Sequence, residues 1–186
     1  SLQRQYRLVL MELRGHGQSD KPRAQTAYLS GTTWAADIGA VIDELKLERP
    51  VIVAWSYAGL VLCDYLRHRS AKSLRGIVFA SARSKVGTAS AREMSGSLFL
   101  KLAPGFVSED AQERIVAIQA FLDELTYEEI PRDDYYRMLG YNVVTPAHTC
   151  RALLNRVADN DDVLAELKLP ALVIHGDKDT SIKLLM

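Results

Sequence analysis

The stretch Val53-Ala54-Trp55-Ser56-Tyr57-Ala58-Gly59 decides how the fold is interpreted. It continues the run Val51-Ile52-Val53-Ala54, whose unbroken apolar character is typical of a strand covered on both faces. From Tyr57 to about His68 the apolar residues recur at helical spacing. We therefore predict that a buried strand turns abruptly into a helix at Ser56.

Serine at such a junction is typical of a nucleophile elbow, a sharp turn that needs small side chains two residues before and two residues after the serine. Ala54 and Ala58 meet this need, although glycine is the usual residue at both positions. The backbone N–H of Tyr57 would begin the helix and face an oxyanion forming at a substrate carbonyl, aided by the helix dipole. The alternative is that Ser56 only caps the helix.

Strand-like and helical segments alternate on both sides of this junction. The helical segment upstream carries Trp34, Ile38 and Ile42 on one face, and either Thr32 or Thr33 would cap its start. Three further strand-like runs are Leu8-Val9-Leu10-Met11, Gly76-Ile77-Val78-Phe79 and Ala171-Leu172-Val173-Ile174. This alternation predicts an α/β fold with a mostly parallel sheet flanked by helices.

The alternation stops between residues 84 and 166, where helical periodicity predicts an inserted helical cap. One apolar stripe is Ile115, Ile118, Leu122 and Leu125. Thr145 before Pro146 predicts the cap and first residue of another helix. Residues 84–97 are rich in Ser, Gly and Ala, which predicts a loop or lid edge.

We accordingly divide the chain into three parts. Residues 1–83 form a core, residues 84–166 form the helical cap or lid, and residues 167–186 return to the core as a strand followed by an acidic turn. That turn, His175-Gly176-Asp177-Lys178-Asp179, offers Asp179 as the acid that would orient a catalytic histidine, with Asp177 as the second choice. The alternative is ordinary turn chemistry, in which Gly and Asp are common.

Composition narrows the function classes. The 186 residues hold 23 basic and 23 acidic side chains without a basic stripe, which argues against nucleic acid as a partner. The two cysteines, Cys63 and Cys150, lack metal-ligand spacing and predict neither a disulfide framework nor a zinc site. No apolar run has a membrane-spanning length and the first residues do not resemble a signal peptide, so we expect a cytoplasmic protein without a membrane partner.

Three motifs together resemble the α/β-hydrolase fold family, and within it the small esterase and cofactor-free haloperoxidase branch. They are Arg14-Gly15-His16-Gly17-Gln18-Ser19, Trp55-Ser56-Tyr57-Ala58-Gly59 and His175-Gly176-Asp177-Lys178-Asp179. The resemblance implies that Ser56 is the nucleophile, Asp179 the acid of the triad and the Tyr57 N–H an oxyanion donor. It also implies a small acyl substrate and neither a metal nor an organic cofactor.

The catalytic base is the exception, because the family pattern places a histidine after the acid and none follows Asp179. The four histidines of the chain are His16, His68, His148 and His175. The predicted core determines where three of them lie, and His148 is the only one whose position it does not determine. The family pattern also has strands, and a loop that supplies the second oxyanion N–H, before Leu8.

We therefore expect a fragment lacking both ends of a hydrolase that cleaves carboxylic esters through an acyl-enzyme on Ser56. This chain itself would be inactive without the histidine. The alternative is a ligand-binding protein of the same fold without turnover, and the sequence leaves the oligomeric state open.

Overall fold

The computed structural model describes residues 2–183, and five strands lie in that range. Their bounds are β1 Val51–Trp55, β2 Gly76–Ala80, β3 Lys85–Val86, β4 Ala158–Asp159 and β5 Ala171–Ile174. Strands β1, β2 and β5 form one parallel sheet in that order, whereas β3 and β4 form a small antiparallel pair. The predicted α/β class with a parallel sheet flanked by helices is confirmed.

Nine α-helices accompany these strands in residues 2–183. Their bounds are α1 Thr26–Leu29, α2 Gly31–Glu44, α3 Ala58–His68, α4 Ala89–Met94, α5 Ser97–Phe106, α6 Ala111–Asp123, α7 Arg132–Val143, α8 Ala147–Leu154 and α9 Asp161–Ala165. Within this range every helix is too short or too polar to span a lipid bilayer.

The main core lies between the sheet and the pair α2 and α3. Trp34 of α2 and Leu62 of α3 are fully buried there, and Ala54 of β1 and Ile77 of β2 cover the sheet side. Helix α3 forms where the apolar residues recur at helical spacing, and it ends after His68. The basic side chains in its last turn interact favourably with the helix dipole. Burial of this face is the main source of stability, at about 25 cal/mol per Å² of apolar surface.

The prediction of strands covered on both faces is wrong for β1 and β5, whereas no residue of the central strand β2 is exposed. Side chains of β1 alternate, so that Ala54 is buried while Val53 and Trp55 are 66% and 55% exposed. All four residues of the edge strand β5 are exposed. Continuous apolar composition therefore marks a strand here, but it does not establish how many layers cover it.

The predicted strand at Leu8-Val9-Leu10-Met11 is also wrong, since no described strand pairs with it. Leu10 is 94% exposed. A strand exists only through hydrogen bonds to a neighbouring strand, and this segment makes none with the sheet of residues 2–183.

Residues 84–166 are mostly helical, in line with their periodicity. Ile118 and Leu122 of the predicted stripe are buried in α6. The opening stretch, predicted to be a loop, instead contains β3 and α4, because the Thr88 hydroxyl accepts the Ala91 N–H at 3.0 Å and caps α4. The division into core and cap remains a prediction.

Two predicted helix starts are displaced by a residue or more. Pro146, and not Thr145, is the N-cap of α8, and Thr145 is buried. Ser30 is the N-cap of α2, so that neither Thr32 nor Thr33 caps it. Among residues 2–183, no side chain forms a capping hydrogen bond at either N-cap, and displacements of one or two residues are ordinary at helix ends, which fray.

Candidate functional site

Ser56 occupies the sharp turn between β1 and α3. Its φ of 53° lies in the left-handed region, which costs a residue with a Cβ about 1–2 kcal/mol. The turn is held from both sides, because the Ser56 N–H donates to the Ala80 carbonyl at 3.1 Å and the Ser56 carbonyl accepts the Arg83 N–H at 2.9 Å. Such over-determined strain is a feature of functional turns.

Gly59 allows the start of α3 to lie very close to the loop that follows β2. A Cβ on Gly59 would lie 2.5 Å from the Arg83 carbonyl oxygen and 2.8 Å from the Ala82 Cβ. The sequence pattern placed the demand for small side chains at Ala54 and Ala58. In the structure, the position with the least room for a side chain is one residue later, at Gly59, where α3 contacts the loop that follows β2.

The elbow opens into a cavity of about 970 Å³. Ser56 and His16 line it on the sheet side, and Phe99, Phe106 and Phe121 supply apolar wall from helices α5 and α6. A concave, largely apolar space with a few polar groups is typical of a small-molecule site. The parallel sheet also directs its carboxyl ends toward this region, where α/β proteins bind ligands.

The backbone N–H of Tyr57 has no acceptor within residues 2–183. It is one of the N–H groups that the start of α3 leaves free. The Tyr57 side chain is anchored, because its hydroxyl donates to the Leu153 carbonyl at 3.3 Å and its ring lies 6.4 Å from that of Trp34. Burial raises the pKa of Tyr57 to about 12, so the phenol stays neutral.

Sequence reasoning missed a buried ion pair behind the elbow. The Arg156 guanidinium donates to both carboxylate oxygens of Asp64, at 2.8 and 3.1 Å, and lies 3.5 Å from the Tyr57 hydroxyl. Burial alone would lower the pKa of Arg156, but Tyr57 and Asp64 hold it above its ordinary value. The only hint in the sequence was an aspartate on the apolar face of α3.

Asp179 lies in the turn after β5. Its Oδ1 accepts the N–H groups of Ser181 and Ile182, both at 2.8 Å, and its Oδ2 lies 3.6 Å from His175 Nε2. The parallel register aligns Ile174 with Ala80 and Ala80 with Trp55, so Ser56 and Asp179 follow strands that end at one sheet edge. The axes of β1 and β5 are about 10 Å apart at ordinary strand spacing.

Asp177, the second choice for the acid, is exposed. Asp179 is the more enclosed of the two, with a side chain 16% exposed, and it does not line the cavity. The structure therefore brings Asp179 to the same sheet edge as Ser56 without direct contact between them.

The four histidines lie in different surroundings, and none hydrogen-bonds to the Ser56 hydroxyl within residues 2–183. His16 lines the cavity beside Ser56, and burial lowers its pKa. His148 has a buried Nε2 without a partner among the described residues. His68 is exposed at the end of α3, and His175 Nε2 lies 2.9 Å from the Ile182 carbonyl oxygen.

Across residues 2–183, no three His, Cys, Asp or Glu side chains cluster closely enough to ligate a metal ion. Cys63 and Cys150 are both free thiols. The polar groups of the cavity wall include hydroxyls, the His16 ring, the Asn142 amide and charged side chains.

Comparisons with known proteins agree with this architecture. The family model described as alpha/beta hydrolase fold matches residues 1–186. The AB hydrolase superfamily protein YisY of Bacillus subtilis (strain 168) is 26% identical over 95% of this chain. The chain spans 65% of the length of that protein.

Solved structures give the same result. The esterase RhEst1 from Rhodococcus sp. ECU1013 is 33% identical, with a TM-score of 0.86 over 92% of this chain and 62% of its own. A bromoperoxidase from Bacillus anthracis is 19% identical, with a TM-score of 0.73 over 91% of this chain and 63% of its own. The expected alpha/beta hydrolase fold is confirmed, with esterase and bromoperoxidase structures among its neighbours, and this chain spans less than two thirds of each of these relatives. The chain belongs to the alpha/beta hydrolase fold family.

Proposed function

We propose that the protein is a serine hydrolase of esterase type in which Ser56 is the nucleophile. The observation that carries the proposal is the strained φ of Ser56 at the point where β1 meets α3 and opens into the cavity. A helix cap would not need this conformation, because N-cap residues are extended. The Tyr57 N–H, which has no acceptor within residues 2–183, supports the same role.

In the proposed reaction, the Ser56 Oγ attacks the carbonyl carbon of an ester while a histidine takes the hydroxyl proton. The carbonyl oxygen becomes an oxyanion and accepts the Tyr57 N–H. Collapse of this intermediate breaks the bond to the alcohol, which leaves with the proton from the histidine, and an acyl-Ser56 ester remains. Water then adds with the same base, and the carboxylic acid and free Ser56 are released.

Asp179 is the proposed orienting acid. Its Oδ1 is occupied by two backbone N–H groups, whereas among residues 2–183 its Oδ2 has only the 3.6 Å approach of His175. That second oxygen is free to accept the N–H of a base histidine, which would keep the correct tautomer. The 33% identity to an esterase favours ester bonds among the bonds that such a site could cleave.

The test is labelling with a fluorophosphonate, which reacts with activated serine nucleophiles. We expect the product of the complete reading frame to be labelled, and the label to vanish in Ser56→Ala. Ser81→Ala is the matched control, because Ser81 has a positive φ of 39° after the neighbouring strand β2 but does not line the cavity. Labelling that persists in Ser56→Ala, or is lost in Ser81→Ala alone, contradicts the assignment.

A second candidate is ligand binding without turnover, which is favoured by the absence of a histidine bonded to Ser56 among the described residues. For the 186-residue chain we propose feeble or absent hydrolysis of 4-nitrophenyl butyrate. Rapid hydrolysis would instead require one of its own histidines as the base. Comparison of His16→Ala, which changes a cavity residue, with His148→Ala would then identify it.

A further inference from the structure

Arg83 is placed directly against the elbow. It follows β2 in the loop beside α3, and its backbone N–H donates to the Ser56 carbonyl at 2.9 Å. The residue is only 7% exposed and lines the same cavity as Ser56. Arg83 and Ser56 therefore belong to the wall of one cavity.

Within residues 2–183, the partners of this guanidinium are all neutral. Nη1 donates to the Ser95 hydroxyl at 3.0 Å, Nη2 donates to the Ser181 carbonyl at 3.2 Å, and the Phe99 ring centroid lies 4.3 Å from Cζ. Within residues 2–183, no carboxylate approaches Arg83 to salt-bridge distance. A guanidinium also has more N–H donors than these two bonds use.

The other buried arginine behaves differently. Arg156 is bound by both carboxylate oxygens of Asp64, which is the usual arrangement for a charge removed from water. At Arg83, burial lowers the pKa and the more distant charge of Asp179 opposes that shift. Arg83 is therefore a buried cation that lacks a counter-ion in direct contact within the described structure.

The cavity wall contains a second incompletely satisfied cation. Arg114 of α6 donates from Nη2 to the Thr145 carbonyl, and its Nε is buried without a partner within residues 2–183. The acidic side chain of the wall, Glu93, is exposed. The enclosed part of the cavity wall therefore carries the positive charges of Arg83 and Arg114, whereas the negative charge of Glu93 faces solvent.

This inference rests on the proposed function. We propose that Arg83 determines substrate specificity, so that the cavity accepts esters that carry a carboxylate, with this carboxylate bound by the Arg83 guanidinium while the ester carbonyl lies at Ser56. The substrate anion would supply the counter-ion that Arg83 lacks. A bidentate pair between a guanidinium and a carboxylate is also the geometry for which arginine is best suited.

A structural role for Arg83 is the competing explanation, because its bond to Ser181 holds the segment that follows Asp179. If that is its only role, replacing Arg83 should destabilise the fold but should not change the relative affinities for charged and neutral ligands. The experiment must therefore compare ligands of the same shape and different charge.

Isothermal titration calorimetry of the 186-residue chain with 4-phenylbutyrate and with its neutral amide, 4-phenylbutyramide, makes this comparison. We expect the acid to bind at least 10-fold more tightly than the amide. Arg83→Met is expected to weaken binding of the acid by about 10- to 100-fold, as for loss of a charged hydrogen bond, and to leave binding of the amide unchanged. Arg92→Met is the matched control, since Arg92 is exposed on the wall of the same cavity.

Equal affinities for acid and amide, no binding of the acid at millimolar concentration, or an unchanged preference in Arg83→Met would each overturn the proposal. If Arg83→Met does not fold, Arg83→Lys decides: a retained preference for the acid supports it, and equal affinities overturn it. These titrations measure binding and not turnover. The carboxylate preference can thus fail independently of the labelling of Ser56.

Discussion

Replacement of Asp64 by asparagine is expected to lower the free energy of unfolding by about 3–5 kcal/mol. The side chains of Asp64 and Arg156 are only 6% and 2% exposed, so the substitution leaves the guanidinium buried without its counter-ion. The neutral amide cannot replace this pair, in which Nη2 donates to both carboxylate oxygens, because one of its two polar ends is a donor that would face the guanidinium.

The structure supports the upper part of this range. Arg156 reaches few other polar partners, since its Nη1 lies 3.5 Å from the Tyr57 hydroxyl and its Nε is buried without an acceptor within residues 2–183. The guanidinium also lies against the Trp34 ring, with the centroid 5.6 Å from Cζ. Relaxation of the side chain toward water would require the core around Trp34 to open.

Asp162→Asn is the matched control. Asp162 likewise accepts two hydrogen bonds from an arginine, here from Nη1 and Nη2 of Arg67 at 2.6 and 2.7 Å, but the two side chains are 63% and 35% exposed. Water compensates for the loss of such a pair, so its removal should leave stability close to that of the wild type. The two variants therefore separate the effect of burial from the effect of the bond itself.

Urea unfolding followed by far-ultraviolet circular dichroism measures both variants. Thermal unfolding should show a decrease in Tm of roughly 6–20 °C for Asp64→Asn, at about 2–4 °C per kcal/mol for a chain of this size. Similar losses for Asp64→Asn and Asp162→Asn would refute the reasoning, as would a double variant Asp64→Leu/Arg156→Met that is less stable than Asp64→Asn alone.

Four further predictions concern the elbow, helix α7 and the core. The free energy of unfolding of Ser56→Gly is expected to be about 1 kcal/mol higher than that of Ser56→Ala, because glycine tolerates the φ of 53°. Equal stabilities of the two variants in urea would contradict this. Gly59→Ala should lose about 1–3 kcal/mol to its clash with the Arg83 carbonyl. Gly140→Ala, an exposed helical position with open space, should gain up to about 1 kcal/mol in the same assay. Cys63 is fully buried and burial raises its pKa to about 12, so peptide mapping after iodoacetamide treatment at pH 8 should find it unmodified unless urea is added.

The junction at Ser56 could be predicted because its signals are local. An apolar run, a serine between small residues and a helical period all lie within about twenty positions, and each reports the conformation of the residues that carry it. The same reasoning placed β2 and β5 close to their observed bounds. It failed at Leu8-Val9-Leu10-Met11, where apolar composition was present but no described strand pairs with it.

The roles of Ser56, Tyr57 and Asp179 remain proposals, although the structure places all three at the carboxyl edge of the sheet. No local signal could have singled out Arg83 as a buried cation or Gly59 as the point of closest approach. Each depends on the loop after β2 and its distance from α3. Neither feature exists until that loop and that helix have packed together.

The sequence by itself determined the strand, turn and helix around Ser56, the α/β class and the motifs that indicate a hydrolase. Only the tertiary structure decided that Asp64 pairs with Arg156, that Arg83 faces the cavity with neutral partners and that one face of β1 is exposed. The physical reason is the range of the interactions. Backbone conformation and apolar period are properties of neighbouring residues, whereas strand pairing and the removal of charges from water depend on residues far apart in the chain.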